Sequence, residues 1–393
     1  MEFTGTTSRG DTVRYTDGKR FLWVFPIVGA LIGPLTAAAY FLSGANALWT
    51  LFPLFYFFLV IPAIDMLIGE DTHNPPEEVT AAMAADPYYR RLLHAMAPAY
   101  YLSFLIGAVF IGTQNLPVWA FIAFTIGLAM LHANVLTIGH ELGHKQNKTD
   151  QWAAKIMNAM IGYGHFCIEH NRGHHVWVST PEDPASSRMG ESIYAFALRE
   201  LPGTFRRGVA HEKRRLEKRG KSFWSLENDI LQGYAIALVI GAALTALFGW
   251  IMLPFLLLHH FFGWYGLTQA NYVEHYGLKR EKDARGKYEP CAPRHSWNTN
   301  HIVSNLFSFH LQRHSDHHAN PQRPYQALRN FSDLPRLPSG YPGCFGLAAI
   351  PPLWFRVMDP KVMAWAQGDI DKVNLAPQSE ARLRRQFSAT PAA

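Results

Sequence analysis

The sequence predicts an all-α membrane protein, a six-transmembrane-helix bundle in three hairpins with a histidine-rich di-metal region on one face. Three observations predict it. Lys and Arg are absent from 21–89, 92–144 and 226–278, and each stretch holds apolar runs of the roughly 20 residues that cross a bilayer core. Charged residues are 17% of the 393, against about 25% in a typical soluble chain. Nine of the 19 histidines fall into four short clusters.

The elements follow in order. Residues 1–20 form a polar N-terminal segment that does not read as a cleaved leader. Spans are expected at 21–44, 47–69, 95–116, 117–144, 231–249 and 251–277. The connectors Ser43–Asn46, Gln114–Pro117 and Phe248–Trp250 are short enough to make antiparallel helical hairpins. All three tips then share one side, and none carries Lys or Arg. All 36 basic residues lie in 1–20, 70–94, 145–230 and 278–393, so that side is expected to be cytoplasmic. This placement accounts for the formal net charge of +6 without nucleic acid. The fourth span, as a helix from Pro117 to His144, would run about 42 Å. It outreaches the bilayer core, so His140 and His144 should project at its cytoplasmic end; the sixth span delivers His275 to the same face. The core is expected to end near 330. Residues 331–393 then form a cytoplasmic C-terminal segment with a mobile tail after Pro377. Cys167, Cys291 and Cys344 form no CxxC and no disulfide framework, which suits a reducing face. There is no internal repeat.

The chemistry lies in the clusters. His140 and His144 are at i and i+4, which puts both rings on one helix face. His170 and His174 repeat the spacing with His175 adjacent, His275 stands in Asn-Tyr-Val-Glu-His-Tyr-Gly, and His314, His317 and His318 are i, i+3, i+4. Imidazole ligates Fe, Zn, Cu and Ni. One mononuclear site uses three or four histidines, so nine point to two metals with positions left open for a substrate. Glu141, Glu169, Glu182, Asp183, Glu274 and Asp316 stand beside them. Carboxylates there can accept the second N–H of a ligating imidazole and offset metal charge; Asp183 is the best single candidate. His73, His94, His132, His165, His211, His259, His260, His295, His301 and His310 read as structural or surface residues, and Cys167 as a buried small residue.

Two look-alikes are set aside. His140–His144 matches HExxH, the zinc protease signature, but such a site needs one further ligand and not seven histidines. Glu70/His73 and Glu141/His144 match the Glu-x-x-His of soluble di-iron bundles. There Asn74-Pro75-Pro76 breaks any helix and the remaining carboxylate ligands are missing. Segment 202–224, with Arg206, Arg207, Lys213, Arg214 and Arg215, is a basic amphipathic stretch. It suits anionic headgroups or the docking of an acidic electron donor.

Taken together, HELGHK (140–145), EHNRGHH (169–175) with TPEDP (180–184), NYVEHYGL (271–278) and LQRHSDHH (311–318) resemble the membrane-bound alkane 1-monooxygenases. With the spans, the match covers about 20–330. The bare histidine pattern is broader and also resembles fatty-acyl desaturases. The resemblance implies a nonhaem di-iron centre on His140, His144, His170, His174, His175, His275, His314, His317 and His318, O2 as co-substrate, and terminal hydroxylation of medium-length alkanes. It further implies electrons from NADH through a reductase and rubredoxin, in a bacterial inner membrane. Rubredoxin is fused C-terminally in some relatives, and this chain has no CxxC pairs of such a domain. A methyl group offers no polar handle, so regioselectivity is expected from a narrow apolar tunnel. Helical spacing places Ala133, Leu136, Thr137, Trp264, Thr268 and Asn271 along it, and the aromatic second span adds Phe57. Two other readings remain: a lipid desaturase or hydroxylase of another apolar substrate with the same metals, and a transition-metal carrier.

Overall fold

The computed structural model of the chain describes residues 1–388 and is mostly helical. An antiparallel hairpin of β1 (Glu2–Thr6) and β2 (Thr12–Thr16) opens it, with Glu2 opposite Thr16. Four helices are long and apolar enough to cross a membrane: Ala47–Ile68, Pro87–Thr113, Val118–Gly143 and Asp229–Phe248. Ile27–Leu42 is a shorter apolar helix, and Met252–His275 is a helix of 24 residues. In chain order these are α1 (Ile27–Leu42), α2 (Ala47–Ile68), α3 (Pro87–Thr113), α4 (Val118–Gly143), then α5 (Asp229–Phe248) and α6 (Met252–His275). All six overlap the stretches expected to span, and four of them are long and apolar enough to cross a membrane. Side chains such as Leu238, Val239 and Leu247 on α5 face outward, as lipid permits and water does not.

Local chemistry sets the boundaries. α3 begins eight residues before the expected 95, because the Asp86 carboxylate accepts the Tyr88 N–H and Pro87 occupies the first turn, where its missing N–H costs nothing. Asn228 caps α5 by accepting the Ile230 and Leu231 N–H groups. α6 ends in a turn at Gly277 with φ +75, where a Cβ would meet Val362 at 2.8 Å. α1 packs along α3 and α6 along α4. A second helical layer lies at the histidine end: Lys148–Ala159, 166–177, Ile193–Glu217, Ile302–Phe307 and His314–Ala319.

The C-terminal segment departs from expectation. Tyr341–Ala348 packs against α6, so the functional core runs past 330. Glu380–Ser388 is helical with Leu383 buried in the cluster of Ile193, Tyr272 and Tyr276. The segment expected to be mobile after Pro377 is thus helical over Glu380–Ser388 and anchored by the burial of Leu383; 389–393 lie outside the described residues.

Candidate metal centre

The nine histidines converge in two groups. His140, His144, His170, His175 and His317 form one, and His174, His275, His314 and His318 the other, with the ligating atoms of each group within 4.8 Å of one another. The grouping follows from backbone geometry. α4 places His140 and His144 on one face, ring centroids 4.9 Å apart. Residues His170–His174 are a π-helical turn, in which i and i+5 rather than i and i+4 align. His170 and His175 therefore face each other, Nε2 to Nε2 at 3.0 Å, and His174 turns to the second group. This corrects the expected pairing of His170 with His174. The short helix His314–Ala319 bridges both groups: His314 and His318 meet at 2.9 Å through Nε2, and His317 reaches His175 at 3.0 Å.

A metal fits both groups. Two imidazole nitrogens at right angles about a metal at about 2.1 Å span about 3.0 Å, which is the separation seen. The Nε2 atoms of His140, His144, His174 and His275 are buried with no hydrogen-bond partner. Each would cost about 1–3 kcal/mol if left unmet. Burial, and then the neighbouring imidazoles, hold His170, His175, His314, His317 and His318 well below the usual histidine range. Neutral imidazole is the ligating form.

The acids behave unequally. Asp183 accepts from His174 Nδ1 at 2.9 Å, from Ser186 Oγ at 2.7 Å and from Arg207 at 2.6 Å. Burial alone would raise its pKa; His174, Arg207 and Ser186 overcome that and hold it well below the carboxylate range. Glu274 Oε2 lies 3.2 Å from His314 Nε2, and its other oxygen accepts from the Tyr341 hydroxyl. Glu169 pairs with Arg207, which joins it to Asp183, and touches the metal groups only through that bridge. Glu141 pairs with Lys145 at 2.8 Å and Asp316 with Arg323 at 3.1 Å; both turn away from the rings. Glu182 sits in the Tyr288 loop. The His275 Nδ1 instead faces the His295 carbonyl at 3.3 Å. Cys167 accepts from Asn158 Nδ2 at 3.2 Å and is no ligand.

The histidine groups have two different sides. On one, a narrow apolar cavity ends on His140, His170 and His314, and thus touches both groups. Phe57, Ala133, Leu136, Thr137 and Asn271 line it. Phe307, Leu311, Tyr341 and Phe345 also line it, and sequence periodicity could not place them, since they come from short helices and a turn after the last span. Trp264 and Thr268 do not line it. Trp264 donates to the Ile161 carbonyl at 2.8 Å and faces outer grooves, and Thr268 donates to Glu200 at 2.8 Å. On the other side a polar opening reaches His144 and His175.

The basic stretch is divided by its own helix, Ile193–Glu217. Arg206, Lys213 and Arg214 are exposed, whereas Arg207 is turned inward to Glu169 and Asp183, and Arg215 pairs with Glu212 and Asp229. The Ser103–His132–His259–His260 string inside the bundle is hydrogen-bonded and belongs to neither metal group.

Glu200 is a buried acid that the sequence did not single out. It accepts from Thr268 and, at 3.3 Å, from Asn271. Burial, reinforced by Glu169 and Asp183, pushes its pKa from 4.5 to about 7. A raised carboxyl pKa favours folding while the group is protonated, and that advantage is lost as pH rises from 4.5 to 7,. Glu200→Gln is therefore expected to melt progressively above the parent across that window, the gap levelling above it. Parallel melting-temperature profiles would contradict this.

Comparison with known proteins gives matching neighbours. The fatty acid desaturase family matches residues 114–347. The chain is 49% identical over 374 residues to alkane 1-monooxygenase 1 of Alcanivorax borkumensis, covering 94% of this chain and 91% of that one. It is 47% identical over 382 residues to alkane 1-monooxygenase of Pseudomonas putida, covering 95% and 93%. It is 28% identical over 234 residues to the xylene/toluene monooxygenase hydroxylase component of Pseudomonas putida, covering 59% and 62%.

Proposed function

The chain belongs to the alkane 1-monooxygenase family, and from that premise we propose an integral-membrane hydroxylase that converts medium-chain alkanes to 1-alkanols with O2 and two electrons. One observation carries the reading: the apolar cavity ends on histidines of both metal groups. The two groups would hold two iron ions, which when bound supply the O2 activation that protein side chains lack.

The chain's own residues supply position and exclusion of water. Phe57, Met130, Leu136, Phe307 and Phe345 wall the cavity and offer an alkane no polar competitor, so a chain enters end-on and its methyl stops at the histidines. Polar groups gather at that end. Glu274 stands beside His314 and holds the Tyr341 hydroxyl, and Gln312 Oε1 accepts the Tyr341 N–H at 3.1 Å. They can bind the new hydroxyl and present it for release. Asp183 fixes the His174 ring by taking its Nδ1 proton in a hydrogen bond.

Six spans with the centre on the cytoplasmic face of a bacterial inner membrane are part of the proposal. They are supported by four helices long and apolar enough to cross a membrane, by the helices Ile27–Leu42 and Met252–His275 near the other two expected places, and by connectors without Lys or Arg. Rubredoxin, recharged from NADH by its reductase, is the proposed electron donor. Purified protein given octane, 18O2, rubredoxin, reductase and NADH is expected to yield 18O-labelled 1-octanol. An alkene, or no labelled alcohol across several chain lengths with electron delivery verified, would overturn the reading; an alkene would favour the desaturase alternative.

Phe57 should help set chain length. Its ring packs 6.3 Å from that of Phe345 on the cavity wall. Phe57→Ala removes most of that ring volume, and the longest alkane hydroxylated is expected to grow by several carbons. An unchanged chain-length profile measured by gas chromatography would take Phe57 out of the wall.

A further inference from the structure

The nine histidines are not equally enclosed. Eight are buried, and His175 alone is partly exposed. With His144 it lines a polar opening shared with Lys145, Gln146, Asn171 and Arg172. That opening shares Gly143, Gln151, Asn171 and Arg172 with a wider cavity that adds Lys148, together with Arg215 and Arg219, which are paired there with Asp229 and Glu227. The two residues after His175 are apolar and exposed: Val176 at 52% and Trp177 at 40%. Neither lies on a membrane-crossing helix, and Arg280 holds the Val176 carbonyl at 2.9 Å from the base of the charged loop at 281–289.

From this surface we infer that electrons reach the centre at His175. They would come from a small acidic one-electron carrier protein that docks on Val176 and Trp177 against a rim of Arg172 and Lys148. The inference rests on the proposed hydroxylase reading and names the surface its reductant uses. Three features of the patch fit that occupant. An exposed aromatic beside a polar rim is the anatomy of a docking site. Arg172 and Lys148 have no carboxylate partner among the described residues, and the Glu141 charge nearby is buried and neutralised by Lys145, so the net charge presented is positive and steers an acidic protein. The opening lies away from the apolar cavity, and the two share no lining residue, so carrier and alkane do not compete. Each turnover, R–CH3 + O2 + 2 e⁻ + 2 H⁺ → R–CH2OH + H2O, oxidises two reduced carriers by one electron each. One oxygen atom enters the alcohol, the other leaves as water, and the protons come from solvent.

The surface differs from the one the basic stretch suggested, where Arg207 and Arg215 are tied up in ion pairs. The test uses reduced rubredoxin as the probe and the iron-loaded enzyme in lipid nanodiscs. Two quantities are read: the binding constant, and the second-order rate of rubredoxin oxidation by stopped-flow absorbance, each across a salt series. Arg172→Glu is expected to lower the rate about tenfold at low salt and to flatten its salt dependence. Trp177→Ala should weaken binding about tenfold. Both variants should accept electrons from a small neutral chemical reductant at the parent rate, which shows the centre intact. The double variant Arg206→Glu/Arg214→Glu should bind like the parent. Parent-like binding and rates in Arg172→Glu and Trp177→Ala, or an equal loss in the double variant, would overturn the inference. None of these readouts depends on which product forms, so a failure here is distinct from a failure of the alkane reading.

Discussion

Replacing His275 by alanine is expected to abolish hydroxylation and to empty one of the two metal groups while the other stays filled. His275 is one of only four histidines in its group. Its loss leaves three, with His174, His314 and His318 spread over two separate elements. The five-histidine group keeps every ligand. Activity should vanish all the same, because the cavity that presents the substrate ends on histidines of both groups. His144→Ala makes the informative contrast. It leaves four imidazoles in its group, so iron content should fall less than in His275→Ala, although turnover is lost in both. Iron per chain by mass spectrometry, read beside turnover and the far-ultraviolet helical signal, separates these outcomes. A His275→Ala protein with full iron and full activity would remove that residue from the ligand set.

Asp183→Asn should cost about 10–100-fold in activity or metal affinity, the usual effect of losing a partner that orients a ligating imidazole. The reason is specific to this site. Asp183 accepts simultaneously from His174, Ser186, Arg207 and the Ala185 N–H, and an amide presents one acceptor oxygen where the carboxylate presents two. Its NH2 group would then face a donor. The loss also leaves Arg207 with Glu169 as its remaining carboxylate, in a site where unpaired charge is costly. Ser186→Ala removes two hydrogen bonds, one donated to Asp183 and one accepted from the Ser179 N–H, but it leaves the carboxylate on His174 and Arg207 and should cost less. Parent-like kinetics and iron binding in Asp183→Asn would show that Asp183 serves the fold alone.

Legibility in the sequence tracked the range of the interaction. Span positions and the nine histidines could be read because both depend on local pattern: an apolar run, or a spacing on one helix. The division of those histidines into five and four could not, because it hangs on a π turn at His170–His174, and one inserted residue per turn leaves no mark on spacing. The early start of α3 was written in Asp86-Pro87 and was obscured by Arg90 and Arg91, which read as the end of an apolar run. Of the acids, Asp183 and Glu274 reach ligating rings, whereas Glu141 and Asp316 do not; adjacency in the chain says nothing about the direction a carboxylate points. Tyr341 and Phe345 reach the cavity from beyond the expected core boundary, a long-range contact that no periodicity carries. Arg207 looked like one charge among many on a basic helix and is the buried clasp between Glu169 and Asp183.

Ferrous iron titrated anaerobically into the metal-free protein tests most directly whether the nine histidines hold two metal ions. Saturation at two irons per chain, falling to one in His275→Ala, is the predicted result. Saturation at one iron per chain in the parent would contradict it.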